Sequence, residues 1–115
     1  MIRNDFNGKA VLVTGGTKGL GLAIGLAFGR LSAHVYLTNK WGSVDEAQIL
    51  RQFSEAGAPL EPMIVQADAA EAEDTREVVD LITSPGTPLR LILFATDNQL
   101  TVHQPYQFLG VPVWV

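Results

Sequence analysis

The fold of this chain follows from the stretch VLVTGGTKGLG, which runs from Val11 to Gly21. Its first residues form a short apolar run, typical of a buried parallel strand. The glycines that follow favour a sharp turn and leave no Cβ in the way of an approaching anion. The next residues open a helix, whose N-terminus presents free N–H groups and a partial positive charge. A strand, a glycine turn and a helix in this order predict a phosphate-binding site.

Strands and helices alternate up to residue 95. The second helix opens with a capping box, in which Ser43 caps the helix and Glu46 reaches back. Its buried stripe is expected at Val44, Ala47, Leu50 and Phe53. This alternation indicates an α/β fold with a parallel sheet and right-handed crossovers. The predicted elements are strands at Ala10–Thr14, Ala33–Thr38, Met63–Ala67 and Leu89–Ala95, and helices from Gly19 to Leu31, from Ser43 to Gly57 and from Glu71 to Pro85.

Three glycines form a row along the first helix, at Gly21, Gly25 and Gly29. Each of them costs about 1 kcal/mol relative to alanine inside a helix. We therefore expect this row to be a face that lies very close to the sheet or to a ligand. The alternative is a helix that merely tolerates them.

The composition excludes several classes of function. Basic residues are scattered and the net charge is −4, so nucleic acid is not an expected partner. The chain has no cysteine, which excludes disulfides and thiolate metal sites, and its two histidines, His34 and His103, are isolated. No metal site is expected. Without a signal-peptide core or an apolar run approaching ~18 residues, we expect a cytoplasmic protein with no membrane partner.

The spacing of the glycine turn separates it from other phosphate loops. It lacks the Gly-Lys-Ser/Thr of a P-loop and does not fit Gly-x-Gly-x-x-Gly. The pattern Thr14-Gly-x-x-x-Gly19-x-Gly21, entered through Gly8–Thr14 and followed by Asp68 after the third strand, resembles the short-chain dehydrogenase/reductase family. The resemblance covers residues 6–95. It implies a Rossmann-type parallel sheet of order 3-2-1-4 with helices on both faces, truncated after the fourth strand.

The resemblance also implies roles for individual residues. Gly21 would allow close packing of the helix on the sheet. The pyrophosphate and the adjacent ribose would be surrounded by Gly15, Thr17, Gly19 and the backbone of Leu20, and the adenine would be held by Asp68 and the backbone of Ala69.

Charge at the end of the second strand bears on the choice of cofactor. Enzymes that prefer NAD place Asp or Glu about 20 residues beyond the glycine turn, where it binds the ribose 2′-OH. This chain has Asn39 and Lys40 there, and no acid until Asp45. Lys18 adds a second cation within the turn. Two ammonium groups favour a 2′-phosphate, so we expect NADP(H) to be preferred over NAD(H).

The resemblance does not extend to catalytic residues. The family transfers a hydride between the nicotinamide and a carbonyl or alcohol carbon, using a Tyr, a Lys four residues later, a Ser and an Asn. Tyr36 and Lys40 have this spacing, but on a predicted strand, where residues four apart do not meet as they do on a helix. Tyr106 has Gly110 instead of lysine four residues later, so it does not match the catalytic pattern either. No catalytic residue is predicted.

Three hypotheses remain open. The chain could be the cofactor-binding half of an oxidoreductase, inactive alone, which meets a carbonyl or alcohol substrate only when the missing half is supplied. It could be a non-catalytic NADP(H)-binding module, or a truncated gene product. We divide it into a partial dinucleotide-binding domain, residues 1–95, and an irregular apolar tail, residues 96–115. The stretch from Val102 to Val115 is expected to pack over the outer edge of the fourth strand or over the adjacent sheet face, since an open edge would favour self-association.

Overall fold

The computed structural model describes residues 6–39, 44–68, 71–95 and 100–103. Within these residues, strands and helices alternate in the predicted order up to residue 95. Two strands, the first and the fourth, have the predicted bounds. The elements are β1 (Ala10–Thr14), α1 (Gly19–Arg30), β2 (His34–Asn39), α2 (Glu46–Glu55), β3 (Met63–Gln66), α3 (Ala72–Thr83), β4 (Leu89–Ala95) and β5 (Leu100–His103).

The sheet has the order β3-β2-β1-β4-β5. The first four strands are parallel and confirm the predicted order 3-2-1-4. The sheet does not stop at β4, however, because β5 pairs with it in antiparallel register from Ile92↔His103 to Ala95↔Leu100. Only residues 96–99 separate the two strands. A connection this short can join only antiparallel strands, since a parallel crossover needs a dozen residues or more.

Part of the segment predicted as an irregular tail is thus a strand. Val102 and His103 lie along β4, the edge that this tail was expected to cover. Residues 96–99 and 104–115 lie outside the described part of the chain, and Tyr106 lies among them. The division at residue 95 remains a prediction. In the described residues, no helix is long and apolar enough to cross a membrane.

Apolar side chains pack on both faces of the sheet. On one face, α1 and α2 cover Val11, Val13, Val35 and Leu37, with Phe53 of α2 fully buried among them. On the other face, Val78, Val79 and Ile82 of α3 pack against Ala10, Leu12 and Leu89. Helices therefore lie on both faces of the sheet, as predicted.

The glycine row of α1 is its buried face. A Cβ built on Gly25 would lie 2.9 Å from Cδ2 of Leu37, and one built on Gly29 would lie 2.8 Å from Cε2 of Phe53. Both distances are shorter than carbon atoms tolerate. The glycines therefore let α1 approach β2 and α2 closely. This agrees with the prediction of a face that lies very close to the sheet, and not with a helix that merely tolerates glycine.

Helix α2 differs from its prediction in its cap and its buried stripe. Asp45 is the N-cap, and its Oδ1 accepts a hydrogen bond from the backbone N–H of Gln48 at 3.1 Å. Ser43, the predicted cap, lies outside the described residues. Ile49 and Phe53 are the buried positions, whereas Ala47 is exposed and Leu50 half-buried. The stripe shifts because the helix turns toward α1 and β2, where the ring of Phe53 meets Gly29.

Helices α1 and α2 end in the same hydrogen-bond pattern. In α1, Ser32 N–H donates to Gly29 O and Ala33 N–H donates to Phe28 O. In α2, Gly57 N–H donates to Ser54 O and Ala58 N–H to Phe53 O. Both are Schellman motifs, which need a left-handed residue after the cap. Gly57 supplies it at φ 88°, while Ser32 adopts φ 70° although it carries a Cβ.

Candidate functional site

The glycine turn lies at the carboxyl end of β1 and is fixed to β2. Gly15 is exposed and has φ 65°, a conformation that glycine adopts without strain. Gly16 is buried, and its N–H donates to Thr38 O at 3.1 Å. A Cβ on Gly16 would lie 2.8 Å from Cδ2 of Leu37 and 2.9 Å from Val13 O. The turn therefore adopts its shape because glycine stands at both positions.

The N-terminus of α1 differs from the other two helix N-termini in the described residues. Asp45 caps α2, with Glu46 in its first turn, and α3 has Glu73 and Asp74 in its first turn. Helix α1 has no side-chain cap and no acidic residue in its first turn. Its partial positive charge is thus not offset by its own side chains, which suits an anionic ligand.

There is also room for a ligand above this turn. Gly19 opens α1 with φ 57° and is exposed, and a Cβ built on it would meet no atom within 4 Å. Leu20, whose backbone was predicted to contact the pyrophosphate, is 48% exposed in the first turn. The first turn of α1 is therefore open to solvent on the side where an anion would approach its backbone N–H groups.

A cleft of about 340 Å³ opens beside the turn, between the starts of α1 and α2. It brings together three predicted site residues, Thr17, Lys18 and Gly19, on one wall. The other wall belongs to α2 and the residues before it. The residues of that wall are Val44, Asp45, Gln48, Ile49 and Gln52, and the sequence did not mark any of them as functional.

The ends of β2 and β3 carry two further predicted site residues. Asn39 ends β2 and its carbonyl accepts the N–H of Ala67 at 3.0 Å, so Asp68 follows directly at the same edge of the sheet. The N–H of Asp68 donates to Oδ2 of Asp74 at 2.9 Å, and its carbonyl accepts from Glu71 at 2.9 Å. Asp74 therefore fixes the turn that carries Asp68, a role that its place in the first turn of α3 did not reveal.

Other candidates fall outside this region. Lys40 and Ala69 lie outside the described residues. Tyr36 lies within β2, in register with Leu12 and Met63, and packs half-buried against the α3 side of the core. It lies on a strand, as predicted. Among the described residues, no group of His, Cys, Asp and Glu could hold a metal ion.

Comparison with known proteins identifies the fold. No protein-family model matches the sequence. The chain is similar to the solved structure of NADH-dependent reductase A1-R' complexed with NAD, with a TM-score of 0.67 and 25% identity. It is also similar to a short-chain type dehydrogenase/reductase from Mycobacterium marinum, with a TM-score of 0.63 and 18% identity. The chain carries the N-terminal part of a short-chain dehydrogenase/reductase fold.

The match covers most of this chain but a minor part of each similar protein. It covers 79% of this chain and 37% of the NADH-dependent reductase, and 77% of this chain and 35% of the M. marinum protein. An N-terminal ketoreductase from the macrolactin assembly line is similar over 75% of this chain and 18% of its own, with a TM-score of 0.64 and 26% identity. The chain thus spans about a third of the length of the first two proteins and about a fifth of the ketoreductase chain.

Proposed function

We propose that this chain holds a nicotinamide dinucleotide at the glycine turn, as the cofactor-binding part of an oxidoreductase of the short-chain dehydrogenase/reductase type. The observation that carries the proposal is the start of α1, which has neither a side-chain cap nor an acidic residue and lies next to open space. The similarity to a reductase that is NADH-dependent and complexed with NAD supports the same class of cofactor. When bound, the nicotinamide would carry the hydride.

The residues of this chain would bind and orient that cofactor. Backbone N–H groups of Gly19 and Leu20 would donate to the pyrophosphate, and the helix dipole would favour its charge. Gly15 and Thr17 would border the adjacent ribose. Asp68 would hold the edge of the adenine together with Ala69, on a turn that Asp74 fixes through the N–H of Asp68.

Within this function we propose that NADP(H) is preferred over NAD(H). Lys18 lines the cleft beside the turn, and Lys40 follows Asn39 at the end of β2 in the sequence. An ammonium group near a phosphate is attracted by about 1 kcal/mol even in water. Replacing both lysines by alanine should therefore weaken NADPH binding by roughly tenfold or more and NADH binding far less.

Fluorescence titration with NADPH and NADH tests this preference. The exposed Arg51, on α2, provides a matched control, because Arg51→Ala also removes a positive charge but lies outside the cleft lining. Equal losses of NADPH and NADH affinity in the double lysine variant would refute the assignment. Absence of saturable binding of either nucleotide would refute the proposed function itself.

We further propose that the chain alone does not catalyse. Of its two tyrosines, Tyr36 packs in the sheet and Tyr106 lacks a lysine four residues later. A carbonyl-reduction assay with NADPH should show no turnover above background, and clear turnover would contradict this proposal. A carbonyl or alcohol substrate would then be a partner only when the rest of the fold is supplied.

The position of Tyr36 also favours the second candidate, a non-catalytic NADP(H)-binding module. The coding sequence beyond codon 115 separates the two candidates, because a continuation that encodes a helical Tyr-x-x-x-Lys would supply the catalytic half. A cytoplasmic location and self-association through a sheet edge remain proposals from the sequence, and light scattering of the purified chain tests the latter.

A further inference from the structure

An acidic residue lies in the cleft beside the glycine turn, although the sequence places none at the end of β2. Asp45, the N-cap of α2, lines the same cleft as Lys18. Both side chains are exposed to solvent, and the cleft between them has a volume of about 340 Å³. The fold thus places a carboxylate and an ammonium group around one opening next to the start of α1.

These two charges have opposite effects on a ligand in the cleft. A ribose 2′-phosphate is attracted by the ammonium group of Lys18 and repelled by the carboxylate of Asp45. A ribose 2′-OH is neutral and can donate a hydrogen bond to a carboxylate. The hydrogen bond that caps α2 uses Oδ1 of Asp45, so Oδ2 is not needed for the cap.

We propose that Asp45 is a specificity-determining residue that limits the preference for NADP(H) and keeps NAD(H) as an accepted cofactor. This inference rests on the proposed function, because it concerns the ribose end of the same dinucleotide site. It accounts for two observations together. The chain has Lys18 in its glycine turn, while its fold is similar to that of a reductase that is NADH-dependent.

The size of the effect depends on salt, because the side chain of Asp45 is exposed to solvent. The Debye length is about 8 Å at 0.15 M salt and falls to about 3 Å at 1 M. A phosphate with nearly two negative charges should therefore feel Asp45 clearly at low salt and weakly at high salt. Removing the carboxylate charge should improve NADPH binding roughly threefold to fivefold at 50 mM salt.

The substitution Asp45→Asn isolates this charge from the fold. Asparagine is about as good an N-cap as aspartate, so its side-chain oxygen can still accept from the N–H of Gln48. Glu46→Gln is the matched control. Glu46 is also exposed, lies in the same first turn and carries the same charge, but does not line the cleft. Circular dichroism of the two variants checks that α2 is retained.

The experiment measures the dissociation constants of NADPH and NADH for the wild-type chain and both variants, at 50 mM and 500 mM salt. We expect Asp45→Asn to raise the NADPH-to-NADH affinity ratio threefold to fivefold at 50 mM, and less than twofold at 500 mM. Glu46→Gln should change the ratio by less than twofold at either salt concentration.

Two results would overturn the inference while the proposed function stands. One is an unchanged affinity ratio in Asp45→Asn with both nucleotides still bound. The other is an equal gain in Glu46→Gln, which would show a general effect of net charge. If the wild-type chain binds neither nucleotide, the proposed function fails first, so the two failures are distinguishable.

Discussion

Replacing Gly25 by alanine tests how closely α1 approaches β2. At an exposed helix position this change would stabilise the protein by about 1 kcal/mol, because alanine is the better helix former. The structure predicts instead that Gly25→Ala destabilises the protein. The new Cβ would lie 2.9 Å from Cδ2 of Leu37, a side chain that is fully buried. The same Cδ2 lies 2.8 Å from the Cβ position of Gly16, so Leu37 has no room to retreat toward the glycine turn.

The expected change in stability is the cost of overpacking minus the gain in helix propensity. Overpacking a buried site costs about 1–3 kcal/mol. After the gain in helix propensity is subtracted, we expect Gly25→Ala to lower the free energy of unfolding by about 1 kcal/mol. In a domain of this size this lowers Tm by roughly 4 °C. Urea unfolding followed by circular dichroism gives the free energy, and a thermal scan gives Tm.

A control measures the propensity term in the same helix. Ala27 is on the exposed side of α1, so Ala27→Gly should cost about 1 kcal/mol through propensity alone. Leu37→Val removes the clashing atom. Adding Gly25→Ala to a chain that already carries Leu37→Val should therefore not destabilise it further. The close approach of α1 to β2 would be refuted if Gly25→Ala stabilised the chain by as much as Ala27→Gly destabilises it.

Two further predictions concern a helix end and the turn that carries Asp68. Ser32→Gly should stabilise the chain by about 1 kcal/mol in urea unfolding, because Ser32 is left-handed, and Gly57→Ser should cost a similar amount. The two substitutions should therefore change the free energy of unfolding in opposite directions. Changes in the same direction would refute the role given to the left-handed residue. Asp74→Ala should cost about 1 kcal/mol and weaken NADPH binding severalfold, because the N–H of Asp68 loses its acceptor. Glu77→Ala, on the same helix, is the control, and equal losses would contradict the role of Asp74.

Local signals predicted most of the fold. The apolar run Ala10–Thr14 lies between Gly8 and Gly15, the run Leu89–Ala95 follows Pro88, and both strands have the predicted bounds. The strand β5 was missed because Leu100–His103 is short and half of its residues, Thr101 and His103, are polar. It pairs because β4 has a free edge nearby, which depends on the whole sheet.

The site was predictable where it depends on contiguous residues. The spacing of Thr14, Gly19 and Gly21 indicated a glycine turn before a helix, and the turn and helix are observed. The second wall of the cleft was not predictable, because Asp45 reaches it only when α2 packs on α1. Its capping role was also ambiguous in the sequence, since Ser43 and Asp45 are both good N-cap residues.

The central claim is that the glycine turn and the start of α1 hold the pyrophosphate of a dinucleotide. Titration of the ¹⁵N-labelled chain with NADPH, followed by amide chemical shifts, tests it most directly. We expect saturable changes that are largest for the amides from Gly15 to Gly21, with smaller ones at Asp68. Saturable binding whose largest changes lie elsewhere, or no change at these amides, would contradict it.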